Sequence, residues 1–277
     1  MNPPSPERQK TENALIAAVQ LVSGPRVADN LAAAAHGVAE AAAQGARIVA
    51  LPEYFPIMGM AEGDKVKVRE ADGHGPIQEF LAATAKQHGI WLIGGSIPLE
   101  AKDAAKVMNS TVVYDPAGQR VARYDKIHLF GFQKGLERYD EAASIEAGSE
   151  PVAFDTPYGR IGLSICYDLR FPELYRRLAP VDLIVVPAAF TETTGRAHWE
   201  VLLRARAIEN QCYVLAVGQG GKHENGRETH GNSMIVDPWG TIVDRKLKGP
   251  GVVLGLLDHG CIAETRANLP ALKHRVL

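Results

Sequence analysis

Two stretches of this 277-residue chain are built alike. NSTVVYDPAGQRVARYDKIHL begins at Asn109 and NSMIVDPWGTIVDRKL at Asn232. Each opens on Asn-Ser, alternates apolar and polar residues, and turns on Asp-Pro-x-Gly, at residues 115–118 and 237–240. Alternation on both sides of such a turn predicts an antiparallel hairpin. Two copies are too few for a solenoid, which needs repeats stacked in series. They point instead to two similar sheet halves.

Short apolar runs alternate with helical patterns around these hairpins. Residues 14–22, 47–51, 90–97, 161–165, 183–187 and 213–217 read as strands, and 28–44, 77–88, 172–178 and 198–210 as helices. Asp29 or Asn30 stands near the start of the first helix; Gly45 and Gly89 stop the first two. Strands this apolar need a helical cover on at least one face. The expected fold is α/β, with two sheets sandwiched between helical layers. No Gly/Ser-rich linker divides the chain, so residues 13–277 are expected to form one domain. Residues 1–12 are polar and proline-rich, and are expected to be a disordered tail.

Charge and cysteine usage exclude several classes. The formal net charge is -2, so there is no basic excess to neutralise phosphates, and nucleic-acid partners are set aside. Cys166, Cys212 and Cys261 are odd in number and far apart, without a Cys-x-x-Cys pair. This argues against a disulfide framework or a zinc-thiolate cage and fits a reducing compartment. The first residues lack the apolar core of a signal peptide, and no apolar run approaches the roughly 18 residues of a membrane span. A cytoplasmic location without membrane contact is expected.

Three positions could carry chemistry. Cys166 ends an apolar strand in GRIGLSICYDLRFPELYRR, with Pro172 at an early helical position. Ligands of open α/β sheets collect at strand ends, and a helix N-terminus favours thiolate. A core cysteine is the competing reading, but the polar Tyr167-Asp168-x-Arg170 run disfavours it; Cys212, in NQCYVLAV, suits a core better. Cys261 lies in an expected late loop without a role. Glu53 follows the apolar RIVALP, where it is a general-base candidate or a solvated loop acid. Lys126, between strand-like neighbours, either points inward toward a developing oxyanion or sits on an exposed edge. His128 is a possible base in a Cys–His pair.

Taken together, LPEYF at Glu53, RYDKIHLF at Lys126 and GLSICYDLRFPELYR at Cys166 resemble the nitrilase superfamily of carbon–nitrogen hydrolases, in order and over nearly the whole chain. The resemblance implies a four-layer αββα sandwich and a reaction without metal or organic cofactor. It implies that Glu53 takes the thiol proton, that Cys166 attacks the carbonyl, and that Lys126 and the backbone N–H of Tyr167 hold the oxyanion. Departure of the amine leaves a thioester, which water hydrolyses. A second glutamate of the family supports the lysine. GLERYDEAAS offers Glu137 and Glu141; physics does not choose between them, and resemblance favours Glu141. Gly131 stands where family members often carry aspartate.

The segments PAAFTETTGRAHWEVLLRARAIENQCYV and GNSMIVDPWGTIV resemble the branch that hydrolyses deaminated glutathione to 2-oxoglutarate and cysteinylglycine. Neighbouring branches act on 2-oxoglutaramate, succinamate or N-carbamoyl amino acids. A catalytically silent binding protein is disfavoured by the intact Glu53, Lys126 and Cys166, and a true nitrilase by Cys-Tyr-Asp in place of Cys-Trp-Glu. These substrates carry a carboxylate, for which Arg170 is the candidate clamp, unless it pairs with Asp168 or Glu173. Phe190 and Thr194 are candidate pocket residues, against core packing for the first and helix capping for the second. The resemblance also implies a homodimer or higher homo-oligomer, with part of the Trp199, Leu202, Leu203, Ala207, Ile208 stripe and the segment after Asp258 at the partner.

Overall fold

The computed structural model describes residues 11–135 and 137–276. The larger sheet runs Gly251–Leu257, Ala14–Gln20, Ile48–Ala50, Trp91–Ile93, Val107–Tyr114, Ile97–Glu100, and Arg120–Asp125 and Ile145–Glu146 also pair with Val107–Tyr114. The smaller runs Ala153–Thr156, Gly159–Leu163, Leu183–Ala188, Tyr213–Gly218, Ser233–Val236, Ile242–Lys246. Each sheet has three parallel strands, one antiparallel strand before them and an antiparallel hairpin after them.

The two hairpins are the repeated motifs, one per sheet, and they turn identically. Asp115 Oδ1 accepts from the N–H groups of Ala117 and Gln119 at 2.9 and 2.8 Å. Asp237 Oδ1 accepts from Trp239 and Thr241 at 2.9 and 2.8 Å. Gly118 and Gly240 close the turns at φ 78° and 90°, a conformation open mainly to glycine.

Strand alternation builds the layers. On the larger sheet, Ile16, Ala18, Ile48, Ala50 and Ile93 share one buried cluster with the second sheet's Val185, Leu215 and Ile235. The intervening Ala17, Val19, Val49 and Leu92 pack with Ala34, Val38 and Ala41 of helix Val27–Ala43 and with Ile77, Leu81 and Ala85 of helix Pro76–His88. Helices Pro172–Leu178 and Glu192–Asn210 bring Leu174, Tyr175, Trp199, Leu203 and Ala207 to the second sheet. This is the expected αββα sandwich, and its inter-sheet layer is apolar because alternate residues of both sheets face it.

Several boundaries differ from expectation for local reasons. The run 90–97 is two strands, broken at Gly94-Gly95. Gly95 has φ 54°, and a Cβ there would stand 2.1 Å from the Pro52 carbonyl oxygen, so the chain turns directly beneath the segment that carries Glu53. The helix expected at 198–210 begins at Glu192, because Thr191 caps it by accepting from Thr194 N–H at 3.3 Å. Cys261 lies within helix His259–Asn268 rather than in a loop. Arg266 of that segment is held by its own chain, donating to Val181 O at 2.6 Å and Gln211 O at 3.1 Å. Glu12 N–H donates to Pro157 O at 3.2 Å, and residues 1–10 of the expected tail lie outside the described residues. No described helix is long and apolar enough to cross a membrane.

Candidate active site

Glu53 follows the strand Ile48–Ala50 and is 1% exposed. A buried carboxylate needs several donors, and this one has three. Oε1 accepts from Lys126 Nζ at 2.8 Å and from Asn109 Nδ2 at 3.0 Å, and Oε2 accepts from Ala189 N–H at 2.8 Å. Ala189 follows a strand of the other sheet, so Glu53 ties the two sheets together at their carboxyl ends. Tyr54, next in sequence, has φ 55° and donates its N–H to Ser96 Oγ at 3.0 Å.

Lys126 lies just past the strand Arg120–Asp125 with its side chain fully buried. Its N–H donates to Asn109 O at 2.9 Å, so Asn109 holds the lysine through its backbone and the glutamate through its side chain. Lys126 Nζ also donates to Glu141 at 2.7 Å (Oε2) and 3.0 Å (Oε1). Glu141 is fixed in turn by Phe130 N–H and the Tyr54 hydroxyl, each at 2.7 Å. Of the two glutamates left open by sequence, Glu141 is therefore at the lysine; the side chain of Glu137 lies outside the described residues.

Cys166 opens a short 3-10 turn, Cys166–Arg170, beyond the strand Gly159–Leu163. It has φ 50°, a left-handed conformation costly for a residue with a Cβ, and is 7% exposed. The buried Asp168 holds this turn. Its Oδ2 accepts from Ile165 N–H at 2.8 Å and the Tyr124 hydroxyl at 2.7 Å, and its Oδ1 accepts from His128 N–H at 3.1 Å. His128 Nδ1 lies 2.7 Å from the same oxygen, and its ring stacks on Phe171 at 3.7 Å. His128 thus serves the turn through Asp168, and the Cys–His pair considered from sequence gives way to this arrangement.

The electrostatics follow from burial and from the paired acids. Burial pushes the Cys166 thiol well above its ordinary range, and the neighbouring Glu53 charge pushes it further, against the pull of Lys126. The short turn does not create the thiolate expected of a helix N-terminus. Burial alone would discharge Lys126, but Glu141 and Glu53 more than offset it and keep the ammonium. Burial likewise opposes ionisation of Glu141, and Lys126 overcomes it, so that carboxyl is held below its usual range. The result is a protonated thiol, an adjoining carboxylate that can take its proton, and a fixed ammonium.

The remaining candidates lie around this centre. Arg170 stacks over the rings of Tyr167 and Phe190, with its guanidinium carbon 5.7 and 5.3 Å from their centroids, and its Nη1 lies 3.1 Å from His198 Nδ1. Phe190 is buried and packs on Trp199 with centroids 4.9 Å apart. Thr194 is buried in the first turn of its helix, Oγ1 to Oγ1 2.9 Å from Thr191, which is the cap. Gly131 begins a two-stranded ribbon, Gly131–Lys134 with Glu137–Asp140, and a Cβ there would meet only open space. Cys212 is buried in the core, as expected. Asn109, Tyr54, Ala189 and Arg227 also contact the centre or its walls and were missed from sequence. Only the repeated Asn-Ser motif hinted at Asn109.

Comparison with known proteins identifies the family. The family model described as carbon–nitrogen hydrolase matches residues 15–267. The chain is 41% identical over 269 residues to the deaminated glutathione amidase of a Synechocystis species, covering 95% of this chain and 98% of that protein. It is 40% identical to the human deaminated glutathione amidase, covering 94% and 82%. Among solved structures, the nitrilase–fragile histidine triad fusion protein NitFhit of Caenorhabditis elegans superposes with a TM-score of 0.86 at 37% identity, covering 97% of this chain and 66% of that one.

Proposed function

This chain belongs to the carbon–nitrogen hydrolase family, and on that premise we propose that it hydrolyses a small carboxylate-bearing amide, deaminated glutathione, to 2-oxoglutarate and cysteinylglycine. The observation that carries the chemistry is Lys126 Nζ shared between Glu53 and Glu141 beside a buried, protonated Cys166. The substrate follows the relatives named deaminated glutathione amidase.

In this reading Glu53 accepts the Cys166 proton as the sulfur attacks the amide carbon. Lys126 and the Tyr167 N–H stabilise the oxyanion, which is the usual role of preorganised donors in acyl transfer. The proton passes from Glu53 to the departing amine and a thioester remains. Glu53 then deprotonates the water that hydrolyses it. Glu141 keeps Lys126 charged and in place. Arg170, supported by Tyr167 and Phe190, meets a substrate carboxylate, and Thr194 stands behind the pocket wall.

We also read residues 13–277 as one hydrolase domain of a cytoplasmic homo-oligomer. The support for assembly is the exposed pairing of Ile208, on helix Glu192–Asn210, with the second hairpin turn, where Trp239 is 64% exposed.

The test incubates wild type and Cys166→Ala with deaminated glutathione and, separately, 2-oxoglutaramate, measuring both 2-oxoglutarate and ammonia, since the peptide substrate releases no ammonia. Faster turnover of the peptide substrate, lost in the variant, supports the proposal. Turnover of 2-oxoglutaramate alone transfers the protein to ω-amidase chemistry, and turnover of neither overturns both.

A further inference from the structure

One cationic group near the centre is not used above. Arg227 lies in the loop between the strands Tyr213–Gly218 and Ser233–Val236. Its Nη2 donates to Ala189 O at 2.8 Å, and the N–H of that same Ala189 is held by Glu53. Arg227 is thus one residue removed from the proposed general base. Burial works against its charge, but the nearby oxygens of Tyr54 and Tyr139, with Glu53 and Cys166, raise its pKa. Its Nε is buried without an acceptor, and no carboxylate pairs with it, among the described residues.

Arg227 as a whole is half-buried, with its guanidinium carbon 5.1 Å from the centroid of the Tyr139 ring, and a guanidinium without a carboxylate partner favours an anion beside it. Arg227 lines a cavity of about 210 Å³ with Tyr54, Met58, Lys65, Tyr139 and Asn225. The walls are fixed. Asn225 accepts from Arg227 N–H at 2.9 Å and donates to Gly59 O at 2.7 Å, joining the two loops that form the mouth. Tyr54 joins the cavity to the centre through its hydroxyl bond to Glu141. Lys65 is held on the same wall, donating to Glu62 at 2.7 Å and to Ser144 Oγ at 3.1 Å, with Nζ 5.5 Å from the centroid of the Tyr54 ring.

We propose that Arg227 binds the carboxylate on the acyl side of the substrate, the one that stays with the thioester, in the cavity between Tyr54 and Tyr139. The inference rests on the amidase reading and adds a second cationic contact to Arg170. The acyl carboxylate of a four- or five-carbon dicarboxylic monoamide lies only a few bonds from the attacked carbonyl. A cation joined to Glu53 through one backbone residue is suited to that short reach, and the leaving amine then faces Arg170. The bound carboxylate meets the Arg227 guanidinium where it lines the cavity, and the enzyme selects amides of dicarboxylic acids over neutral amides of the same length.

The experiment compares succinamate with butyramide, which differ by a carboxylate in place of a methyl, in wild type, Arg227→Gln and Arg227→Lys. A second arm measures succinate and 2-oxoglutarate binding to Cys166→Ala, with and without Arg227→Gln, by calorimetry; circular dichroism melting checks folding. A charge-assisted hydrogen bond contributes about 1.5–3 kcal/mol, so the succinamate-over-butyramide ratio of kcat/KM is expected to fall about 10- to 100-fold in Arg227→Gln and less in Arg227→Lys. Loss of dicarboxylate binding in the second arm supports the same conclusion. An unchanged ratio in a folded Arg227→Gln, or dicarboxylate binding that is absent or indifferent to Arg227, overturns the subsite while leaving the amidase reading intact. If no amide is turned over, the amidase reading fails and the binding arm alone decides the subsite.

Discussion

Lys126 Nζ stands 2.8 Å from Glu53 Oε1 with both side chains buried, and neither has water to fall back on if the other is lost. Removing one partner of a buried pair strands the other charge, at a cost of about 3–5 kcal/mol. Lys126→Met, which leaves Glu53 and Glu141 facing each other, is expected to lose stability on that scale. Glu141→Gln, which leaves Lys126 paired with Glu53, should lose less. Urea denaturation midpoints of the two variants check the order; an equal loss in both would show that the lysine's two bonds are not separable as described.

The Cys166 thiol is held protonated by burial and by the charge of Glu53. Alkylation by iodoacetamide, followed by mass spectrometry of the Cys166 peptide, is therefore expected to accelerate as pH rises through the alkaline range. A rate already at its plateau below neutral pH would mean a preformed thiolate and would sink this account of the nucleophile.

Gly95 supports Glu53 from below. A Cβ at this position would stand 2.1 Å from Pro52 O, and the backbone is at φ 54°. The left-handed conformation alone costs a residue with a Cβ about 1–2 kcal/mol, and here the clash meets backbone that cannot step aside. Gly95→Ala should lower the melting temperature and also lower kcat, because relief of the clash moves the segment carrying Glu53. A stable variant with full activity would refute the link.

His223 anchors the loop that carries Arg227, with Nδ1 2.8 Å from Ser23 O and Nε2 2.8 Å from Thr229 Oγ1. Burial depresses its folded pKa below the ordinary value of 6.5, and Arg227 adds to the effect against a bond to Ser23. The folded imidazole stays neutral where the unfolded one takes a proton. Its contribution is complete above about pH 6.5 and is lost as pH falls through the folded value. His230 is depressed by burial in the same sense. Unfolding free energy measured from pH 7.5 downward should fall, and fall less steeply in His223→Asn. Parallel slopes would exclude His223 as a contributor.

The chain alone determined the layers and the two hairpins, and it marked the candidates for the chemistry. Those features are local: alternation decides which face of a strand is buried, Asp-Pro-x-Gly decides the turn, and Glu53, Lys126 and Cys166 are marked by the motifs around them. What tertiary structure decided is contact between segments distant in sequence. The ion pair of Lys126 with Glu141, the turning of His128 toward Asp168, the Ala189 N–H on Glu53 and the approach of Arg227 leave no periodicity or spacing in the chain. The Cys166 pKa belongs to the same class. The local turn argued for a thiolate, but burial between two sheets and a carboxylate from 113 positions away (166 less 53) fixed the opposite direction. Desolvation and charge–charge energies depend on distance in space, and only the packed fold sets that distance.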